Sequence, residues 1–320
     1  MSSTTFSNRV KNEVARRKLE KECCRMAELS ALLRTAGSLQ ISSGKQTAFH
    51  LATDNAAVAR RIFQLARSLF DWPAEIVVRR SNRLGGNNRY LVRLALPQWE
   101  EPVLRKLGII KGKSVAAGIR ASLKRQRCCR RAYLRGAFLG AGSISRPDRA
   151  YHLEIPAGTA AYAQDLVELM AVLGLQARIH TRKEKPVIYL KEADQIAELL
   201  SIIGAHHSLL YLQELRIMKE MRSNVNRLVN CDTANMEKTV STGLRQVESI
   251  RLIARRLGME KMPPKLRQVA EARLNYPEAT LSELVEILGE GLSRSGVNHR
   301  LRRLEQIARD LQSTGADTKE

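Results

Sequence analysis

Apolar positions along this chain fall into two registers. Val58, Ile62, Leu65 and Leu69 recur at three- and four-residue spacing, as do Leu166, Leu169, Val172 and Leu173. That is the period of a helix with one buried face. Around these stretches lie short runs of β-branched and aromatic residues bounded by turn residues. They predict strands near 39–42 and 47–53, and hairpins pairing 75–79 with 89–94 and 176–180 with 187–190. Two further strands are expected near Ile144 and over 151–155, with turns at Ser43-Gly44 and Arg146-Pro147. Helices are expected over 99–107 and 194–203, and before Gly37 and Gly142, where glycine is read as a C-cap. The predicted order is αββαββα, stated twice.

The repetition is also written in the residues. Residues 23–39 read CCRMAELSALLRTAGSL and residues 128–144 read CCRRAYLRGAFLGAGSI. At a constant offset Cys23/Cys128, Cys24/Cys129, Arg25/Arg130, Ala27/Ala132, Leu29/Leu134, Ala36/Ala141, Gly37/Gly142 and Ser38/Ser143 are identical. Phe49-His50-Leu51 is echoed by Tyr151-His152-Leu153, and Tyr90-Leu91 by Tyr189-Leu190. A colinear match of this length marks a duplicated unit, expected to pack with pseudo-two-fold symmetry.

The duplication stops near Arg222. Residues 224–233 are polar and read as a loop, and 236–257 as one long basic helix carrying Arg245, Arg251, Arg255 and Arg256. Pro263-Pro264 breaks the chain and opens three short helices over 265–275, 281–288 and 293–311. Thr280 and Glu283 form the sequence signature of a capping box, and Gly289-Glu290-Gly291 supplies the turn before the third helix. Helix, glycine turn, helix is the helix-turn-helix pattern. The fold class is therefore α+β: a duplicated αββαββα domain over 1–222 (repeats about 20–115 and 125–222), a linker with a long helix over 223–262, an all-α domain over 263–312 and a tail over 313–320.

Composition sharpens the reading. The chain has 320 residues and a net charge of +22, an excess suited to a polyanionic partner, nucleic acid above all. No apolar run reaches membrane-spanning length, and the first twenty residues read as a basic amphipathic helix rather than a secretory signal, so a cytoplasmic, nucleoid-associated protein with no membrane partner is expected. Five cysteines, four of them in adjacent pairs, lack the C-x-x-C spacing of a zinc site. They read as reduced structural thiols, one of each pair entering the core. No metal or cofactor is assigned.

In the third C-terminal helix, Val297, Leu301, Leu304, Ala308 and Leu311 form an apolar stripe. The other faces present Ser295, His299, Arg302 and Gln306, flanked by Asn298 and Arg303, types that bond base edges and phosphates in a major groove. Thr280, Ser293 and Arg294 complete the candidate double-stranded DNA interface. Residues 264–311 carry eight Lys and Arg against seven Asp and Glu, so nearly all of the positive excess lies upstream. Arg79, Arg80, Arg83 and Arg89 crowd the first hairpin, and Arg182, Lys183 and Lys185 the second. On a pseudo-two-fold these would form one basic saddle for phosphates. Taken singly, each hairpin tip reads more readily as a solvated turn.

The two motif helices, Leu29 to Gly37 and Leu134 to Gly142, resemble those of LAGLIDADG homing endonucleases, with the small residues Ala31 and Gly136 at the expected crossing. In that family each helix ends in a metal-holding acid before a glycine. Here the acid positions are Ala36 and Ala141, and a methyl group cannot ligate Mg²⁺. Residues 128–155, 230–253 and 293–303 are similar, across both domains and the linker, to the WhiA-type bacterial regulators of sporulation and cell division. The resemblance implies a degenerate homing-endonuclease domain joined to a sigma-factor-like helix-turn-helix. It also implies a sequence-specific DNA-binding transcriptional regulator, acting in sporulation, cell division or chromosome segregation, with another regulator or RNA polymerase as a second partner. The alternatives are an active endonuclease using other acids, such as Asp148 or Glu154, and a protein-interaction scaffold.

Overall fold

The computed structural model describes residues 5–41, 47–80, 88–96, 101–112, 114–289 and 291–314. The expected turn at Ser43-Gly44, Arg83, Trp99, Glu290 and the tail from residue 315 lie outside them. The chain divides into two compact units, residues 1–219 and 220–320.

The first unit opens with α1 (Phe6–Ala15), an amphipathic helix that buries Phe6, Val10, Val14 and Ala15. The first repeat follows as α2 (Glu22–Ala36), β1 (Gly37–Ile41), β2 (Thr47–Thr53), α3 (Ala56–Phe70), β3 (Ala74–Arg79), β4 (Arg89–Leu96) and α4 (Glu101–Lys106). A short hairpin, β5 (Ile110–Lys111) with β6 (Ser114–Val115), and a 3-10 turn at Ala121–Lys124 lead to the second repeat. That repeat comprises α5 (Arg127–Ala141), β7 (Ser143–Ile144), β8 (Leu153–Pro156), α6 (Ala160–Val172), β9 (Arg178–Arg182), β10 (Lys185–Leu190) and α7 (Ala193–Ile203). The sheets run β1-β2-β4-β3 and β7-β8-β10-β9, antiparallel throughout. Identical connectivity in both halves is the structural form of the duplication.

Local chemistry sets the helix ends. The Asn55 side-chain oxygen accepts from the N–H groups of Ala57 and Val58 at 2.9 and 3.2 Å, and Thr159 caps α6 in the same way. Residues 27–33 of α2 and 132–139 of α5 are buried on every side. The two motif helices are therefore central, packed against each other and roofed by both sheets. Their approach is set by Gly136: a Cβ there would lie 2.3 Å from the Glu28 carbonyl oxygen and 2.9 Å from the Ala31 methyl.

Two expectations are corrected and one is refined. Gly37 and Gly142 are the C-caps of the motif helices, their N–H groups bonded to the Leu33 and Phe138 carbonyls, but their backbones are extended, at φ −91° and −65°. Glycine is needed because the chain passes straight from helix to strand, where a Cβ would lie 2.4 Å from the Leu33 carbonyl oxygen or 2.3 Å from the Phe138 ring. Val172, placed in an apolar stripe, is 62% exposed, and Met170 fills the core instead. The polar segment 224–233 is not a loop. It lies inside α8 (His206–Leu257), 52 residues long, whose positions 221–238 are exposed on every side. Without proline or glycine in 205–242, polarity there marks a solvated helix and not a break.

The second unit continues from α8 through a 3-10 turn (Met259–Lys261) to α9 (Pro264–Asn275), α10 (Leu281–Leu288) and α11 (Arg294–Thr314). Its core joins Ile250 and Ile253 of α8 to Met262, Val269, Ala270, Leu284, Val297, Leu301, Leu304 and Ala308.

Candidate nucleic-acid interface

The α10–turn–α11 corner is assembled by its end groups. Thr280 Oγ1 accepts from the Glu283 N–H at 3.3 Å, and the Glu283 carboxylate accepts from the Thr280 N–H at 2.7 Å. The bond from the Thr280 backbone holds the Glu283 carboxyl below its ordinary range. Gly289 at φ 80° and Gly291 at φ 104° make the turn in left-handed conformations that side chains resist. Ser293 Oγ then accepts from the Gly296 N–H at 3.1 Å, starting α11. Val297, Leu301, Leu304 and Ala308 are buried, which fixes the rotation of α11 about its axis.

That rotation exposes Arg294, Ser295, His299, Arg302, Arg303 and Gln306, with Asn298 half-buried. Ser295, His299, Arg302 and Gln306 share one face at four-, three- and four-residue spacing. Not every candidate is equally placed to bond a ligand. Thr280 and Ser293 spend their hydroxyl oxygens on caps, and Gln306 is bonded to Asp310 at 2.8 Å and Arg309 at 2.7 Å. The corner is also held by a residue that composition hides. Arg273 of α9 is 3% exposed and donates from one nitrogen to the carbonyls of Tyr276, Pro277 and Ala279 at 3.3, 3.2 and 2.7 Å.

In the first unit Ala36 and Ala141 are the last residues of α2 and α5, both half-buried. The helix ends stay close, since a Cβ on Gly140 would fall 2.0 Å from Thr35 Oγ1. The two acids considered as substitutes are engaged elsewhere. Asp148 receives both arms of Arg146 at 3.1 and 3.0 Å. Glu154 is 2.7 Å from His152 Nε2 and 3.6 Å from Arg182, and the contact with His152 lowers its carboxyl below the ordinary value. Arg79, Arg80, Arg89, Lys183 and Lys185 are exposed, as is Arg182 beside Glu154. The second hairpin turns on Lys183 and Glu184, both left-handed at φ 50° and 62°.

Sequence reasoning missed three polar clusters. Glu28, 1% exposed in the centre of α2, takes Arg61 bidentately at 2.7 and 2.9 Å and Arg135 at 3.2 Å. Arg135 bonds Glu20 as well, at 2.9 Å. Arg34 donates to the carbonyls of Gly108, Ala116, Ala117 and Gly118 at 2.7–3.0 Å and lies over the Tyr162 ring, tying the inter-repeat connection to α2. The signal for both was an ionisable residue within the mostly apolar stretch that follows Arg25 in α2. The third cluster is the cysteines. Cys24 and Cys129 are buried, as expected of one from each pair, but Cys23, Cys24, Cys128 and Cys129 bring all four sulfurs within 4.8 Å of one another.

Comparison with known proteins covers this whole architecture. Three family models match: the WhiA N-terminal LAGLIDADG-like domain over residues 22–110, the WhiA LAGLIDADG-like domain over 130–222 and the WhiA C-terminal HTH domain over 225–308. A probable cell division protein WhiA of Desulforamulus reducens is 47% identical over 311 residues, 97% of either chain. Another, of Heliobacterium modesticaldum, is 46% identical over 318 residues, 99% of either chain. The crystal structure of full-length DUF199/WhiA from Thermatoga maritima shares the fold at a TM-score of 0.60 and 24% identity, covering 96% of this chain and 98% of that one. That of the N-terminal LAGLIDADG domain of DUF199/WhiA does so at 0.51 and 22%, covering 63% and 91%. No described helix is long and apolar enough to cross a membrane. With each of its three segments matched and nearly half its residues shared with those relatives, the chain belongs to the WhiA family.

Proposed function

We propose that this protein is a non-enzymatic, sequence-specific DNA-binding regulator that acts in cell division, as the names of its relatives suggest for them, with transcription as the process controlled. The observation that carries the reading is the presentation of α11. A four-residue apolar stripe seats the helix, and Arg294, Ser295, His299, Arg302 and Arg303 project from it to solvent. A recognition helix places such residues at base edges and phosphates. The duplicated unit keeps a nuclease-like scaffold but puts methyl groups where its metal-holding carboxylates would be, which supports binding without cleavage. Arg79, Arg80, Arg83, Arg89, Arg182, Lys183 and Lys185 are proposed as additional phosphate contacts.

The test is binding of full-length protein to genomic fragments recovered with it, read by fluorescence anisotropy across salt concentration. Arg302→Ala should weaken specific sites by about 5- to 150-fold, equivalent to about 1–3 kcal/mol. Lys185→Ala should weaken all sequences alike and flatten the salt slope. Equal loss on specific and random DNA for Arg302→Ala would refute base reading by α11. Nicking of plasmid in Mg²⁺ or Mn²⁺ would refute the non-enzymatic reading.

A further inference from the structure

The four vicinal cysteines are separated by more than a hundred residues in sequence, yet they occupy one site. Each pair sits in the first turn of a motif helix, Cys23-Cys24 in α2 and Cys128-Cys129 in α5. The pseudo-two-fold that relates the helices brings their N-termini together, so equivalent residues face each other. Sγ atoms within a pair are 3.9 Å apart, and all four lie within 4.8 Å. A regular tetrahedron of sulfurs at zinc–thiolate bond length has edges of about 3.8 Å. We propose that Cys23, Cys24, Cys128 and Cys129 form a closed four-thiolate site for a single zinc-like divalent ion, which clamps the two halves of the duplicated unit at the head of their central helices.

The surroundings suit a thiolate shell. Neither helix has a side-chain cap, so both present the positive end of their dipole to the sulfurs. Lys21, Arg25, Arg127 and Arg130 flank the pairs in sequence and outnumber the nearby acids Glu20 and Glu22, which offsets part of the negative charge that four thiolates leave around a divalent ion. The Gln126 side-chain oxygen lies 3.4–3.9 Å from Cys23, Cys128 and Cys129. There it accepts from thiols, and a turned amide would donate to thiolates. On binding, four thiol protons leave to solvent as four sulfur–metal bonds form. The compactness of the set favours one ion over an iron–sulfur cluster, whose several irons would hold the sulfurs farther apart. Cys23 is exposed and Cys128 half-buried, which leaves an entry path, whereas Cys231 is exposed on α8 in the second unit.

The experiment uses full-length protein purified under reductant without chelator. Elemental analysis should find one zinc per chain. Cobalt(II) added to protein stripped of its metal should produce the intense red ligand-field bands and near-ultraviolet thiolate charge transfer of a tetrahedral sulfur shell. Those bands should disappear in the Cys23→Ser/Cys128→Ser variant, which alters only the two more accessible thiols, and persist in Cys231→Ser. Chelation should lower the thermal midpoint of the wild type and leave that of the double variant unmoved. Failure of reduced wild-type protein to take up zinc or cobalt would overturn the proposal. So would unchanged cobalt bands in the double variant, or bands lost in Cys231→Ser. Four sulfurs recovered as two disulfides in protein that takes up no metal when reduced would overturn it in favour of a redox pair. DNA binding enters none of these readouts, so the site and the proposed function are tested separately.

Discussion

Replacing Glu28 by methionine should be among the most destabilising single changes in the duplicated unit. Glu28 sits in the crossing of α2 and α5, and its carboxylate takes three guanidinium bonds at 2.7, 2.9 and 3.2 Å from Arg61 and Arg135. All three side chains are 3% exposed or less. Methionine fills a similar volume, so little of the effect comes from a cavity. What remains is two guanidinium charges, one of them, Arg135, still touching the half-exposed Glu20 and the other, Arg61, bonded to the Arg17 carbonyl. Breaking a buried ion pair by removing one partner costs about 3–5 kcal/mol. A domain's whole stability is about 5–15 kcal/mol, so about a fifth or more of it is at stake. With a urea dependence of about 2–3 kcal/mol per molar, the unfolding midpoint of the first unit should fall by roughly 1–2.5 M. Replacing all three partners by apolar residues, Glu28→Met with Arg61→Leu and Arg135→Met, should recover most of that loss, because the desolvation penalty disappears with the charges. Urea titrations followed by far-ultraviolet circular dichroism measure both. A shift below about 0.3 M for the single variant, or a triple variant no more stable than the single, would refute the reasoning.

Other consequences are as direct. Gly136→Ala should destabilise by about 1–3 kcal/mol despite alanine's better helix propensity, because its methyl would lie 2.3 Å from the Glu28 carbonyl oxygen; thermal unfolding checks the sign. Arg273→Met should cost about 1.5–3 kcal/mol by releasing the carbonyls of Tyr276, Pro277 and Ala279, and amide hydrogen exchange should quicken first at the α9–α10 turn. Glu154, held low by His152, contributes stability that is complete above the unfolded carboxyl value of about 4.3 and is lost as pH falls through the lower folded one. The stability difference between wild type and Glu154→Gln should therefore be greatest near neutrality and close on acidification, which denaturation at a series of pH values would show.

Periodicity carried most of the element order. The twice-written αββαββα order, the strand at 47–53, the helix at 281–288 and its capping box all follow from spacing and end chemistry that neighbouring residues decide among themselves. It failed where polarity was taken for irregularity, as at 224–233, because a solvated helix needs only residues that tolerate helical backbone. It placed the caps at Gly37 and Gly142 but not the reason for glycine there, which is steric and comes from the abrupt passage into a strand. Of the candidate interface, the exposed face of α11 was legible because one amphipathic helix contains its own inside and outside. Glu28 with Arg61 and Arg135, Arg34 with its four carbonyls, and the four gathered thiols were not legible in that way. Each depends on partners brought from distant segments by the crossing of α2 and α5 or by the chain that joins the repeats. Sequence alone determined the duplication, the alanines at 36 and 141 and the amphipathic split of the last helix, since those are properties of residue identity and short-range period. Which charges pair in the core, and that two cysteine doublets a hundred residues apart share one small volume, was decided only by the tertiary structure, because proximity across a pseudo-two-fold is set by packing and leaves no mark in linear spacing.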